Sequence, residues 1–180
     1  MIKRSGKRCK KNCTAYNAAL IAADKLHHRC KELTAPAENY TSLAALADEG
    51  FLILGINSVR NHSVVTVLRL DGGSHRKVQL YYLPYNKFSH PICDMDIEYK
   101  ENSHSTYIID WHSKFENEGY GSILMSNLIS YLKMAGFHYL TGVISHVDFD
   151  HEDKLRHFYQ KFGFEIINYP DKRALRLELK

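Results

Sequence analysis

Gly119, Tyr120 and Gly121 stand between a strand-like run, Ser105–His112, and a helical run whose apolar positions Ile123, Leu124, Leu128, Leu132 and Met134 lead to Gly136. A strand that feeds a glycine-containing turn and then a helix makes a seat for a pyrophosphate. The first N–H groups of the helix have no partner within it, point outward and carry partial positive charge. Gly119 and Gly121 lack the Cβ atoms that would hold phosphate oxygens away, while Asn117, Glu118, Tyr120 and Ser122 contribute further backbone donors. Taken alone, Gly-x-Gly describes an ordinary tight turn before a helix just as well.

A second motif, His157-Phe158-Tyr159-Gln160-Lys161-Phe162-Gly163-Phe164, closes a helix and enters a strand, with Tyr159 about 38 residues past Gly121. Together the two motifs resemble the GNAT superfamily of acetyl-CoA-dependent N-acetyltransferases. That family ends its last major helix with a tyrosine, a variable pair, an apolar residue and Gly-Phe. Its fourth strand leads into a Gln/Arg-x-x-Gly-x-Gly/Ala loop, where Ile109-Asp110-Trp111-His112-Ser113-Lys114-Phe115-Glu116 falls here. The resemblance runs from about Tyr107 to Phe164. Before it only the general order of helices and strands is similar, and a short first strand ahead of the helices is not evident.

The resemblance implies a fold of α/β class and α+β type: a mixed, mostly antiparallel central sheet flanked by helices and splayed at the CoA-binding strand. It implies acetyl-CoA as the acyl donor and no metal. Ile109, Asp110 and Trp111 would offer main-chain groups to the amides of pantetheine, as an added strand does. Asn117, Glu118, Gly119, Tyr120, Gly121 and Ser122 would hold the pyrophosphate. Tyr159 matches the tyrosine that protonates, or hydrogen-bonds, the departing thiolate; the same position suits an aromatic on a buried helix face.

An amine attacking a thioester must be neutral, yet a primary amine has a pKa near 10, so a base or water chain has to remove a proton as the bond forms. Asp110 lies on the strand beside the implied thioester and alternates with Trp111, so one side chain enters the cleft and the other points away. His112 shares the face of Asp110 and serves the same purpose equally well; His146, Asp148 and Asp150 are further candidates. Three positions depart from the family pattern. Glu116 stands where Gln or Arg is usual, and Glu118 replaces a basic or polar neighbour. A carboxylate ~8 Å from a phosphate charge costs up to ~2 kcal/mol at an effective dielectric of ~20 and less after salt screening, a loss of about tenfold in CoA affinity or a little more, which weakens binding without abolishing it. Glu152 or Asp153 occupies the region where many relatives have an asparagine that contacts CoA, and the connection Ser145–His151 is longer than usual.

Several elements must position these residues. Tyr16, Ala19, Leu20, Ala23, Leu26, Cys30 and Leu33 recur at helical spacing over 14–33, and a second helix is expected from a Thr41 or Ser42 cap to Gly50. Phe51–Ile56, Ser63–Leu70 and Lys77–Leu83 read as an antiparallel meander, with Asp71-Gly72-Gly73 as a hairpin turn. Asn86–Asn102 reads as a loop. After the glycine turn and its helix come strand Tyr139–Ile144, helix Glu152–Phe162, strand Phe164–Tyr169 and strand Ala174–Leu179. In this fold the acceptor pocket is built from the early helices and an inter-strand loop, here near Leu20–Leu33 and Asn86–Asn102. Tyr81, Tyr82 and Tyr85 suit either an acceptor groove or sheet packing.

The 180 residues, 44% hydrophobic and 24% charged, suffice for one core and exclude a disordered chain. The net charge of +4 is concentrated in Lys3, Arg4, Lys7, Arg8, Lys10 and Lys11, which leaves the remainder net acidic. Residues 1–13 therefore read as a basic, solvated arm and 14–180 as a single domain. No run approaches the ~20 apolar residues of a membrane span, and Tyr16 and Asn17 interrupt the short apolar run that imitates a secretion signal, so a cytoplasmic protein is expected. Cys9, Cys13, His27, His28 and Cys30 form a loose set of metal-ligand types, but a helix of about four turns separates them where a zinc site has two close pairs. The expected partner is a small-molecule or peptide amine, with no membrane and with nucleic acid disfavoured; a homodimer is open. Two other functions fit the residues: a non-catalytic GNAT-fold module that binds CoA or another protein, and a nucleic-acid-associated protein acting through the basic arm.

Overall fold

Alternation of apolar residues along successive strands builds the core. In β2 (His62–Arg69), Val64 and Leu68 join one buried cluster while Val65 and Val67 join another, and β3 (His75–Leu83) divides Val78 and Leu80 from Tyr81 and Leu83 in the same way. A computed structural model of the chain describes residues 37–60, 62–70, 73–100, 103–115, 117–145, 149 and 151–180. The basic arm, the expected helix over 14–33 and the Cys9, Cys13, His27, His28 and Cys30 set lie outside the described residues.

Eight strands form one sheet in the order β1-β2-β3-β4-β5-β6-β8-β7. The others are β1 (Phe51–Val59), β4 (Cys93–Lys100), β5 (Ser105–Ser113), β6 (Tyr139–Ser145), β7 (Glu165–Asn168) and β8 (Lys172–Glu178). All neighbours pair antiparallel except β5 and β6, which are parallel. The sheet is mixed and mostly antiparallel, as the family resemblance implies, and it is not closed.

Helix α1 (Ala37–Asp48) covers one face through Leu43 and Leu46, which pack with Phe51, Val65, Val67, Tyr81, Leu83 and Tyr85. Helix α2 (Tyr120–Met134) covers the other face with Leu124, Met125, Leu128 and Leu132, all fully buried. Its partly buried Asn127 donates to Asn57 Oδ1 at 2.8 Å and to Thr66 Oγ1 at 2.7 Å. Gly55 makes this possible, because a Cβ there would lie 2.6 Å from Asn127 Oδ1. Helix α3 (Glu152–Lys161) buries Tyr159.

Two expectations are corrected. Asn86–Asn102 is not one loop, since Cys93–Lys100 is strand β4, hydrogen-bonded between β3 and β5. Its Cys93, Met95 and Ile97 enter the core and its Asp94, Asp96 and Glu98 do not, an alternation disguised by carboxylates that strands usually avoid. Nor does the second helix begin at a Thr41 or Ser42 cap, because it already runs from Ala37. Ser42 serves tertiary structure instead: its buried Oγ accepts from the Tyr85 N–H at 2.9 Å.

Candidate functional site

Strand β5 is held along its whole length on one side only. Eight residue pairs join it to β4, from Lys100↔Ser105 to Cys93↔Ser113, but only Ser105, Thr106 and Tyr107 pair with β6. Beyond Tyr107 and Thr141 the two parallel strands continue without a ladder between them, a splay of the kind the resemblance implies. A β-bulge falls at the same place. Asp96 faces Asp110 and Ile97 faces Ile108, so Ile109 is the extra residue, and its side chain is 45% exposed.

The turn after β5 delivers the chain to α2. Gly119 takes φ +85°, a backbone that a side chain would strain, and Asn117 takes φ +59°. No side chain caps the helix and no acid sits in its first turn. The N–H groups of Tyr120, Gly121 and Ser122 thus have no acceptor within the helix; the series starts with the Ile123 N–H bonding to the Gly119 carbonyl at 3.2 Å. Lys161, from the last turn of α3, donates to Ser122 Oγ at 3.0 Å and brings a cation to the same place. The carboxylate of Glu118, counted against phosphate binding in the sequence, lies 2.6 Å from the guanidinium of Arg60, so its charge is balanced locally. Glu116 lies outside the described residues.

Gly121 owes its identity to a neighbour. A Cβ there would stand 2.3 Å from Cη2 of Trp111, so the indole fills the space that the glycine leaves. On its other side Trp111 packs against Phe158 of α3, with ring centroids 4.8 Å apart. One indole therefore touches β5, the start of α2 and α3 around the splay. Tyr159, next to Phe158, is 6% exposed and meets Phe158 and Phe164 edge to face at 5.4 and 5.2 Å. Gly163, at φ +86°, ends α3 and lets the Phe164 N–H return to the Tyr159 carbonyl at 3.2 Å, which accounts physically for the spacing of the Tyr159 to Phe164 motif.

Asp110 and Trp111 point to opposite faces, as alternation requires. Trp111 lies across from the buried Met95 on the α2 side. Asp110 and His112 lie across from Asp96 and Asp94 on the other face, where Asp110 Oδ2 is 3.6 Å from His112 Nε2. Asp110 Oδ1 also accepts the Trp111 N–H at 2.8 Å. Lys77 reaches Asp94 and Asp96 on this face at 3.3 and 3.4 Å. His146, Asp148 and Asp150 lie outside the described residues. Glu152 is occupied elsewhere: Arg156 Nε donates to it at 2.6 Å and Arg173 Nε at 2.8 Å, and these bonds, Arg173 first, hold its carboxyl below the usual range.

Sequence reasoning missed Arg60. With His62, Tyr82, Phe115, Glu118 and Tyr120 it lines an open groove of ≈300 Å³ beside the start of α2. Tyr82 and Tyr120 share a hydrogen bond of 2.8 Å between their hydroxyls, which with burial pushes the Tyr82 phenol up to about 12. No local signal marks Arg60 in the sequence, since its partner Glu118 is far along the chain. Among the described residues no group of three or more His, Cys, Asp or Glu is placed to hold a metal ion, and no helix is long and apolar enough to cross a membrane.

Residues 81–164 match the family model described as Acetyltransferase (GNAT) family. Among solved structures, a probable acetyltransferase from Staphylococcus epidermidis is 13% identical, with 60% of this chain and 70% of that chain covered at a TM-score of 0.48. A GNAT-family acetyltransferase from Streptococcus pneumoniae is 17% identical, with 61% and 70% covered at 0.47. A spermidine/spermine N-acetyltransferase from Vibrio cholerae is 14% identical, with 61% and 67% covered at 0.48. No curated protein matches the chain at a significant level. The match to the GNAT family model thus runs from within the third strand to just past the last helix, 84 of the 180 residues.

Proposed function

We propose that the chain is an N-acetyltransferase that moves an acetyl group from acetyl-CoA to a primary amine of a small molecule or peptide, by direct attack with donor and acceptor bound together. The observation that carries this reading is the coincidence of the β5/β6 splay with the uncapped start of α2. Main-chain groups of Ile109, Asp110 and Trp111 would receive the pantetheine amides, and the backbone of Asn117 to Ser122, with Lys161 beside it, would receive the pyrophosphate. The donor, when bound, supplies an acyl group activated as a thioester.

Asp110 and His112 lie on one face of the sheet and Tyr159 belongs to the buried cluster on the other, an arrangement that suits a base and an acid acting from opposite sides of the crevice. As the new C–N bond forms and the C–S bond breaks, Asp110 or His112 takes the proton that the amine sheds. Tyr159 supplies a proton, or a hydrogen bond, to the departing sulfur. Positioned proton transfer of this kind contributes roughly 10²–10⁴ in rate. Asp94, Asp96 and Asp110 give the acceptor face carboxylates suited to a cationic amine, with Lys77 and His112 among them. Direct attack is supported by Cys93, the one free cysteine among the described residues: burial pushes its thiol up to about 12, which keeps it protonated and a poor nucleophile.

Titration calorimetry of the full chain with acetyl-CoA tests this, alongside Ser122→Glu, which places a carboxylate in the pyrophosphate seat while remaining compatible with a helix start. Micromolar binding lost in the variant, followed by amine-dependent turnover, is the expected result; a folded wild type that does not bind overturns it. The indole of Trp111 between Gly121 and Phe158 favours a second reading, a non-catalytic GNAT-fold module. Binding without turnover across an amine panel would establish that one.

A further inference from the structure

We propose that the chain acetylates itself: the basic segment Lys3–Lys11 docks on the open acidic face of β4 and β5, and Lys3, Lys7, Lys10 and Lys11 are acceptors there. This names an acceptor for the transfer proposed above and rests on that reading. The face is the first observation. Along β4, Asp94, Asp96 and Glu98 alternate with the core residues Cys93, Met95 and Ile97, so all three carboxylates stand on the side away from α2 and α3. Asp110 joins them from β5, across from Asp96. Helix α1 shares this side but packs through Leu43 and Leu46 on residues of β1, β2, β3 and the loop after β3, short of the carboxylates. Asp96 and Glu98 are accordingly 35% exposed and Asp110 60%. Lys77 is shared between Asp94 and Asp96, while His75 lies 3.9 Å from Glu98 and His112 3.6 Å from Asp110. Lys100, at the far end of β4, is turned over the Tyr107 ring at 4.7 Å. With the histidines neutral, Lys77 alone stands among these four carboxylates, and the face keeps a negative surplus.

The chain carries the matching cation. Residues 1–11 hold Lys3, Arg4, Lys7, Arg8, Lys10 and Lys11 and no acid. Complementary charge of this kind speeds encounter and fixes register. The tether also starts on the correct side, because Ala37 opens α1, which lies on the same face as the carboxylates. Residues 12–36 lead to it. Extended at ~3.3 Å per residue, or with the helix expected over 14–33 at ~1.5 Å per residue, they span more than the ~10 Å from β3 to β5. Arg4 and Arg8 cannot be acetylated and would hold the segment on the carboxylates while a neighbouring lysine reacts. The lysine Nζ gives a proton to Asp110 or His112 and forms the C–N bond to the thioester carbonyl as the C–S bond breaks; the departing sulfur takes a proton from Tyr159. Each transfer turns an ammonium into a neutral amide, so docking weakens as the reaction proceeds and the face is vacated for free amines.

Wild type incubated with acetyl-CoA at low ionic strength, followed by intact mass and peptide mapping, tests this beside a chain lacking residues 1–11 and the double variant Asp94→Asn/Asp96→Asn. Acetyl groups should appear on Lys3, Lys7, Lys10 and Lys11 at a rate per molecule independent of protein concentration. That rate should fall about tenfold in the double variant and drop on adding salt. The truncated chain, unchanged in every described residue, should bind acetyl-CoA as wild type does and acetylate a small diamine severalfold faster at first, with wild type catching up after preincubation with acetyl-CoA. Acetylation of the diamine with these four lysines unmodified, or modified no faster than in the urea-unfolded chain, overturns the inference and leaves the transferase reading intact. A rate per molecule that rises in proportion to protein concentration assigns the segment to a second copy and overturns docking within one chain. Failure of wild type to bind acetyl-CoA, or to transfer to any amine, overturns the transferase reading and this inference with it.

Discussion

The two edges of β5 make the most informative contrast in the molecule. Toward β4 the strand is laddered from end to end, and the residues it sets there, Ile108 opposite Ile97 and Trp111 opposite Met95, continue a core of fully buried side chains. Toward β6 the ladder stops after three pairs, and the space is bordered by Trp111, the start of α2 and Phe158. Backbone polar groups are rarely left without partners inside a protein. A strand that is continuous on one edge and abandoned on the other is therefore shaped for something that adds to it. The first edge and the β1–β4 meander beyond it carry the packing, while the second is where the chemistry is proposed.

Substitutions can separate the two. Gly55→Ala attacks the meander alone: its Cβ would press on Asn127 Oδ1 and break a partly buried amide away from Asn57 and Thr66. Overpacking plus lost hydrogen bonds should cost roughly 2–4 kcal/mol, read by denaturant titration, with donor affinity little changed in the folded fraction. Tyr159→Phe attacks the splay while keeping the buried ring against Phe158 and Phe164. Turnover should fall about 100-fold with acetyl-CoA affinity nearly unchanged, and a fall of less than threefold would remove Tyr159 from the chemistry. Gly121→Ala lies where the regions meet. It should cost ~1–3 kcal/mol through its collision with Trp111 and also weaken donor binding; a change in stability alone would show the indole to be mere packing.

The smallest effect concerns the far side of the splay, where Glu152 ties α3 to β8 through Arg173. Its carboxyl is held below the usual range in the folded chain, so the stability it adds is present above the unfolded carboxylate pKa and disappears as pH falls through the lower folded value. Glu152→Gln should accordingly melt slightly below wild type at neutral pH and level with it in acid. A difference that persisted in acid would point to packing in place of charge.

The sequence made the second half of the fold legible because each element there carries its own punctuation. Gly119 opens α2, Gly136 follows it, and Gly163-Phe164 ends α3, so the order from β5 to β8 follows from local signals. Strand β4 escaped because Asp94, Asp96 and Glu98 mask the alternating Cys93, Met95 and Ile97. The start of α1 escaped because Ser42, a good local cap, bonds to the distant Tyr85. In the candidate site, the glycines and Tyr159 were readable as types at a spacing. The Trp111 indole against Gly121 and the Arg60 partner of Glu118 were not, since both are set by how separate elements meet in space.

Trp111 has one more consequence. It is the only tryptophan among the 180 residues, and it sits between Gly121 and Phe158 at the mouth of the splay. All tryptophan fluorescence from this protein therefore originates at the place where the donor is proposed to bind. The chain carries its own optical probe there, able to report on occupancy of the crevice without a label, a coupled assay or knowledge of the acceptor.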